Sequence, residues 1–126
     1  MADGFDGVVL IAHGARDARW MVPFWRMRDE LVKKLAPAPV AVSFLEFAQP
    51  RFSEAVAELR AAGARRVLVT PIFLSGGGHV ANDVPGLVDA ERGRYPEMTF
   101  VVTGAIGEEP EVATAMAAAI ARLSRG

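Results

Sequence analysis

The chain holds two histidines, His13 and His79, and a glutamate, Glu46, sits midway between them. The intervals are equal, 33 residues from 13 to 46 and 33 from 46 to 79. Each of the three follows an apolar run: Val8 to Ala12, Val40 to Leu45, and Val67 to Leu74 with Ser75-Gly76-Gly77-Gly78 intervening. Imidazole and carboxylate ligate first-row divalent metals, and both accept protons near neutral pH. If the runs are parallel strands, all three side chains emerge at one edge of one sheet. There they can bind a transition metal and move protons.

Positioning them requires alternating strands and helices, and the hydrophobic spacing supplies both. Gly7 to Ala12 reads as a first strand ending in the turn-rich His13-Gly14-Ala15-Arg16-Asp17. Trp20, Phe24, Met27, Leu31 and Leu35 then recur at helical spacing, with Pro23 placing the regular helix near Val22 and Pro37 and Pro39 ending it. Val40 to Leu45 is the second strand. Pro50 opens a helix whose Phe52, Val56 and Leu59 face the core and whose C′ residue is Gly63. The third strand follows Arg65-Arg66 and is the most apolar, which predicts a central position buried on both faces. Asn82 or Asp83 caps a short helix with Pro85 in its first turn, carrying Leu87 and Val88 and stopping before Gly93. Thr99 to Thr103 is a fourth strand. Pro110 introduces a last helix with Val112, Met116, Ile120 and Leu123 on one stripe, free to cover its own sheet or to pack on a partner.

The expected fold class is α/β: three layers, a four-stranded parallel sheet with helices on both faces, residues 1–126 forming one domain. In such sheets ligands bind outside the carboxyl ends of the strands. Composition narrows the function. At 52% hydrophobic and 23% charged the chain is globular, not disordered. A net charge of −1 without a basic stripe argues against nucleic acid. The absence of cysteine excludes thiolate zinc sites, iron–sulfur ligation and Cys nucleophiles. The acidic start is unlike a signal peptide and no run is long enough for a membrane helix, so the cytoplasm is the expected location.

Each candidate also has a plainer reading. His13 alone could be a hydrogen-bonded turn histidine, and Glu46 could serve a structural ion pair with Arg51 or Arg16. The glycines could form a simple turn or cradle a phosphate, but neither a Walker sequence nor a G-x-G-x-x-G is present, so no nucleotide is expected. Ser75 lies near His79 without a nucleophile elbow. Trp20, Trp25, Phe24 and Phe44 read as core.

Three motifs carry a family resemblance. Leu10-Ile11-Ala12-His13-Gly14-Ala15-Arg16-Asp17 resembles the opening of the small sirohydrochlorin chelatases, with Ala15 where they usually have serine. Phe44-Leu45-Glu46-Phe47-Ala48-Gln49-Pro50 resembles their F-L-E-x-A-x-P. Pro71-Ile72-Phe73-Leu74-Ser75-Gly76-Gly77-Gly78-His79-Val80, with Asp83 and Pro85 beyond, resembles P-x-F-L-x-x-G-x-H-V and a trailing D-x-P.

The resemblance implies a class II chelatase-like half that inserts Co²⁺, Fe²⁺ or Ni²⁺ into sirohydrochlorin, in cobalamin or sirohaem biosynthesis. His13, His79 and Glu46 would be the metal-binding and catalytic residues. Arg16, Ser75, Gly76, Gly77 and Gly78 would meet the substrate's carboxylates, with Arg19 and Arg51 as further cations. A homodimer is implied, since longer members hold two such halves. The alternatives are a metal- or tetrapyrrole-binding carrier of the same fold, and a flavodoxin-like anion-binding module.

Overall fold

The computed structural model describes residues 4–78 and 81–126. Four strands, β1 (Gly7–Ala12), β2 (Val40–Phe44), β3 (Arg66–Pro71) and β4 (Thr99–Val102), form one parallel sheet in the order β2-β1-β3-β4. They alternate with helices α1 (Val22–Leu35), α2 (Phe52–Ala61), α3 (Val84–Arg94) and α4 (Pro110–Ser124). The expected α/β architecture is the observed one, and no described helix is long and apolar enough to cross a membrane.

Alternation along the central strands sends successive side chains to opposite faces. Val9, Ile11, Val67, Val69 and Phe100 meet Phe52, Val56 and Leu59 of α2 and Val88 of α3 on one face. Val8, Leu10, Val40, Val42 and Phe44 meet Phe24, Trp25 and Leu31 of α1 on the other. Ser43 is the polar exception inside β2, and its hydroxyl donates to the Leu10 carbonyl at 2.9 Å. Because α1 and α3 lie on opposite faces, the helices diverge between the carboxyl ends of β1 and β3. That divergence opens the crevice in which ligands of such sheets bind.

Several local expectations need correction. β2, β3 and β4 stop one to three residues early, at Phe44, Pro71 and Val102. For β3 the cause is its neighbour: β1 ends at Ala12, and the last ladder bond runs from Ile72 N–H to the Ile11 carbonyl. Trp20 is not core but 73% exposed, because it lies in the 3-10 turn Ala18–Met21 ahead of α1. Met27 and Leu35 are exposed too, and Met21, Phe24, Trp25 and Leu31 form the packed stripe. Asp83 does not cap α3 through its side chain; a 3-10 turn, Ala81–Asp83, runs straight into the helix. α3 also continues through Gly93 to Arg94. β3 is central in the sheet, and on its outer face Thr70 is buried while Leu68 is half-buried against the α1-side core.

The largest departure is α4. Its apolar stripe leaves Ile120 64% and Leu123 67% exposed, and no residue of the helix is buried. It packs substantially only against the 3-10 turn Ile106–Glu108 from which it springs.

Candidate active site at the carboxyl edge of the sheet

Two further main-chain bonds join the chain beyond the last β1–β2 pair, Ala12 with Phe44. Leu45 N–H donates to the Ala12 carbonyl at 3.0 Å, and Glu46 N–H donates to the His13 carbonyl at 2.9 Å. The main chains of His13 and Glu46 are thus fastened side by side. Gly14 makes this possible. It sits at φ +92°, and a Cβ there would lie 2.0 Å from the Glu46 carbonyl oxygen. Directly beyond Glu46, Phe47 adopts φ +66°, a conformation that costs a bulky L-residue about 1–3 kcal/mol. Strain held at the residue following a candidate ligand marks a segment whose direction is fixed by its surroundings.

The His13 imidazole is exposed on one side and backed on the other by the buried ring of Phe73, with centroids 4.5 Å apart and planes at 38°. Phe73 follows β3, so this contact spans the crevice between β1 and β3. Its own position is set from β4. Gly107 N–H donates to the Phe73 carbonyl at 2.9 Å, and a Cβ on Gly107 would lie 2.3 Å from the Leu74 carbonyl oxygen. The neighbouring Glu108 carboxylate accepts the Gly76 N–H. A segment after β4 therefore braces the loop after β3. Sequence reasoning missed Gly107 and Glu108 in this role, since nothing local links them to a loop some thirty residues earlier.

Around these groups the expected cations divide. Arg19 is not available: it clamps both oxygens of Asp17 at 2.7–3.1 Å. Each partner shifts the other, so that the Asp17 carboxyl is held below its usual range and the Arg19 guanidinium above its own. Arg51 is turned back to the Leu45 carbonyl. Arg16 remains, with its guanidinium 4.7 Å above the exposed ring of Phe47. Neither Arg16 nor Arg51 pairs with Glu46, so the plain ion-pair reading of that carboxylate does not hold. Gly76 cannot offer its N–H to a substrate carboxylate while Glu108 holds it. Ser75, Gly77 and Gly78 are exposed, with Gly78 at φ +105°.

Two cavities open at this edge. One, of about 370 Å³, is lined by Leu45, Glu46, Asp83, Gly86 and Leu87, which brings a second carboxylate beside Glu46. The trailing D-x-P was the sequence signal for it. The other, of about 210 Å³, is mostly apolar and is bounded by Pro71, Phe73, Val84, Pro85 and Val102 to Ala105. His79 lies outside the described residues, and so the convergence of all three predicted ligands is an expectation for that residue. Among the described residues no three His, Asp or Glu side chains gather as a metal set. An exposed imidazole against an apolar ring, its main chain bonded to that of a glutamate with no ion-pair partner among the described residues, can present a divalent metal to a flat ligand and take up protons.

A family model described as CbiX matches residues 7–123, nearly the entire chain. The chain belongs to the CbiX family. Among curated relatives, it is 34% identical over 87 residues to the sirohydrochlorin cobaltochelatase of Methanothermobacter thermautotrophicus, covering 69% of this chain and 60% of that protein. It is 32% identical over 101 residues to the sirohydrochlorin cobaltochelatase of Saccharolobus solfataricus, covering 77% of each. The match thus spans about three fifths of the first relative's length and three quarters of the second's. Among solved structures, a CbiX protein from Marinobacter aquaeolei, described as a putative cobalamin biosynthesis protein, superposes with TM-score 0.80 at 26% identity. That match covers 95% of this chain and 98% of that one. The sirohydrochlorin chelatase SirB from Bacillus subtilis, in complex with cobalt, superposes with TM-score 0.74 at 25% identity, covering 92% of this chain and 50% of SirB.

Proposed function

We propose that this chain is a sirohydrochlorin metal chelatase that inserts Co²⁺, with Fe²⁺ as the next candidate, without a nucleotide. The observation that carries the reading is the main-chain bond that fastens Glu46, after β2, beside His13, after β1, at the carboxyl edge of the sheet, in a chain of the CbiX family. Relatives described as cobaltochelatases, and SirB solved with cobalt and with Fe³⁺, support this choice of metals.

Insertion exchanges one M²⁺ for the two pyrrole N–H protons of the macrocycle. In this reading His13 and His79 receive the metal through neutral imidazole nitrogens, which suit Co²⁺, Fe²⁺ and Ni²⁺ and release them more readily than thiolates would. Glu46 completes the metal's coordination or accepts a proton, with Asp83 as a second carboxylate in the same cavity. The macrocycle rests on the apolar wall around Phe73 and Pro85. Arg16, Ser75, Gly77 and Gly78 meet its peripheral carboxylates. The active form is a homodimer, and the setting is cytoplasmic.

Anaerobic insertion of Co²⁺, Fe²⁺ and Ni²⁺ into sirohydrochlorin, followed spectroscopically at matched free metal, tests the reading. Turnover should be fastest with Co²⁺ and abolished in His13→Ala and His79→Ala, with both variants folded. Glu46→Gln should lose rate more than metal affinity. Full activity in either histidine variant sinks the ligand assignment. Tight stoichiometric binding without product would favour the carrier.

A further inference from the structure

One acidic side chain at the carboxyl edge plays no part in the proposed metal chemistry. Glu108 ends the 3-10 turn Ile106–Glu108 and is exposed, yet its carboxylate accepts the Gly76 N–H of the loop after β3. Glycine at 76 leaves the space for it, since a Cβ there would lie 2.9 Å from Glu108 Oε1. On its other side the carboxylate faces Gly104, where a Cβ would lie 3.9 Å from Oε2. Both glycines also line the apolar cavity of about 210 Å³ bounded by Phe73, Val84 and Pro85. Glu108 thus stands at the border of the wall on which the macrocycle rests in the reading above.

A ligand carboxylate would take the same position. A cavity of this size admits one edge of a tetrapyrrole, not the whole ring system. Sirohydrochlorin bears carboxylates all round its periphery, so an edge seated against Phe73 and Pro85 brings one of them to the Gly76 N–H. A backbone N–H is a single donor, and two carboxylates in contact disfavour each other's charge. One of the two must leave. The macrocycle is held by its whole apolar face, whereas among the described residues Glu108 forms no ion pair. Being exposed, the Glu108 side chain can turn into water without burying its charge, and so it yields.

We propose that Glu108 is an internal competitor of the substrate, its carboxylate filling in the free chain the position on Gly76 N–H that a peripheral carboxylate of the tetrapyrrole takes on binding. The inference rests on the chelatase reading and deepens it. It gives one contact two consequences. In the free chain the bond holds the loop after β3 in place. After insertion the metallated product carries the same carboxylates, so the return of Glu108 to Gly76 favours its release.

Metal-free sirohydrochlorin is titrated into the parent, Glu108→Gln and Glu109→Gln at about 0.15 M salt, and cobalt insertion is assayed in parallel. The glutamine amide still accepts from Gly76 N–H and keeps the loop braced, but it is the weaker competitor and repels no anion. Its dissociation constant for sirohydrochlorin should be about three- to tenfold lower than the parent's, a direction that loss of a structural contact cannot produce. Glu109 is exposed and makes no side-chain capping bond, so Glu109→Gln removes the same charge beside the contact and should change affinity less than about twofold. Unchanged or weaker binding by Glu108→Gln overturns the competition and leaves a brace alone. Equal tightening by Glu109→Gln also overturns it, because net charge then explains the gain. A parent that binds sirohydrochlorin and inserts no metal refutes the chelatase reading, while the affinities still decide the competition. A parent that does not bind it overturns both.

Discussion

The Glu46 N–H donates to the His13 carbonyl at 2.9 Å, so two residues 33 apart in sequence leave the sheet as adjacent backbone positions. The bond lies just beyond the β1–β2 ladder, whose last pair is Ala12 with Phe44, and it holds the two main chains in contact after the strands have ended. If the two are metal ligands, as proposed, a pair built this way needs little ordering when metal arrives. What holds it can be tested residue by residue.

Gly14→Ala should be severe for so small a change. The new Cβ falls 2.0 Å from the Glu46 carbonyl oxygen, and φ +92° is itself unfavourable for alanine. The Glu46 segment must move away or the turn must rearrange. A loss of about 2–3 kcal/mol is expected, with metal insertion reduced at least tenfold. Urea unfolding and turnover check the two halves separately. Unchanged values in both would show that the close approach does not matter.

Phe73 bears on His13 by packing. Phe73→Ala should cost about 3–5 kcal/mol, as truncation of a buried aromatic does. The informative variant is Phe73→Leu, which retains most of the volume and should cost about 1 kcal/mol. It removes the flat surface that sets the imidazole's inclination at 4.5 Å. Turnover should therefore fall about tenfold or more, out of proportion to stability. A leucine variant with native turnover would make the ring contact merely structural.

Much of this was legible in the sequence, for identifiable reasons. Alternation and helical spacing are local, so the four strands, the start of α1 at Val22 and the positive φ of Gly63 followed from pattern alone. The edge on which His13 and Glu46 emerge followed from the parallel order. Trp20 was misread because a 3-10 turn keeps helical spacing while pointing its side chains elsewhere. The brace by Gly107 and Glu108, and the diversion of Arg19 and Arg51, depend on tertiary approach that no local pattern encodes. The bare stripe of α4 was visible as a stripe; that its own sheet does not cover it was not.

The Asp17–Arg19 pair gives a pH dependence whose sign follows from the lowered Asp17 pKa. A carboxyl held below its unfolded value binds fewer protons when folded. Its stabilisation is therefore fully present above the ordinary carboxylate range, about pH 4, and is lost as pH falls through the lowered value. Asp17→Asn should be less stable than the parent at about pH 6, and the gap should close towards about pH 2–3. The pair is solvent-exposed, so the gap should be small. Urea midpoints at the two pH values measure it. A gap that widens in acid would contradict the assignment.

Glu91 is buried, and among the described residues its Oε1 has no hydrogen bond; the cation that faces it, Arg94 Nε, is 3.7 Å away and largely exposed. Burial removes the carboxylate's hydration, and so long a contact returns little of it. Glu91→Met fills similar volume without the charge. It should raise the urea midpoint, with a gain of about 1 kcal/mol. A lowered midpoint would mean that the carboxylate finds a partner in the small cavity it shares with Arg51 and Ser53.

Phe47 separates strain from contact. At φ +66° any residue with a Cβ pays a conformational cost that glycine avoids, while the ring contributes its contact with the Arg16 guanidinium. Phe47→Ala and Phe47→Gly both lose the contact, so their difference isolates the backbone. The glycine variant should be the more stable of the two by about 1 kcal/mol, against the usual order in which alanine exceeds glycine. Its turnover should nonetheless be lower than that of alanine, because a freed backbone no longer fixes where the Glu46 carboxylate points. Alanine equal to or above glycine in stability would show that the segment relaxes out of the strained conformation. In that case the strain has no part in aiming Glu46.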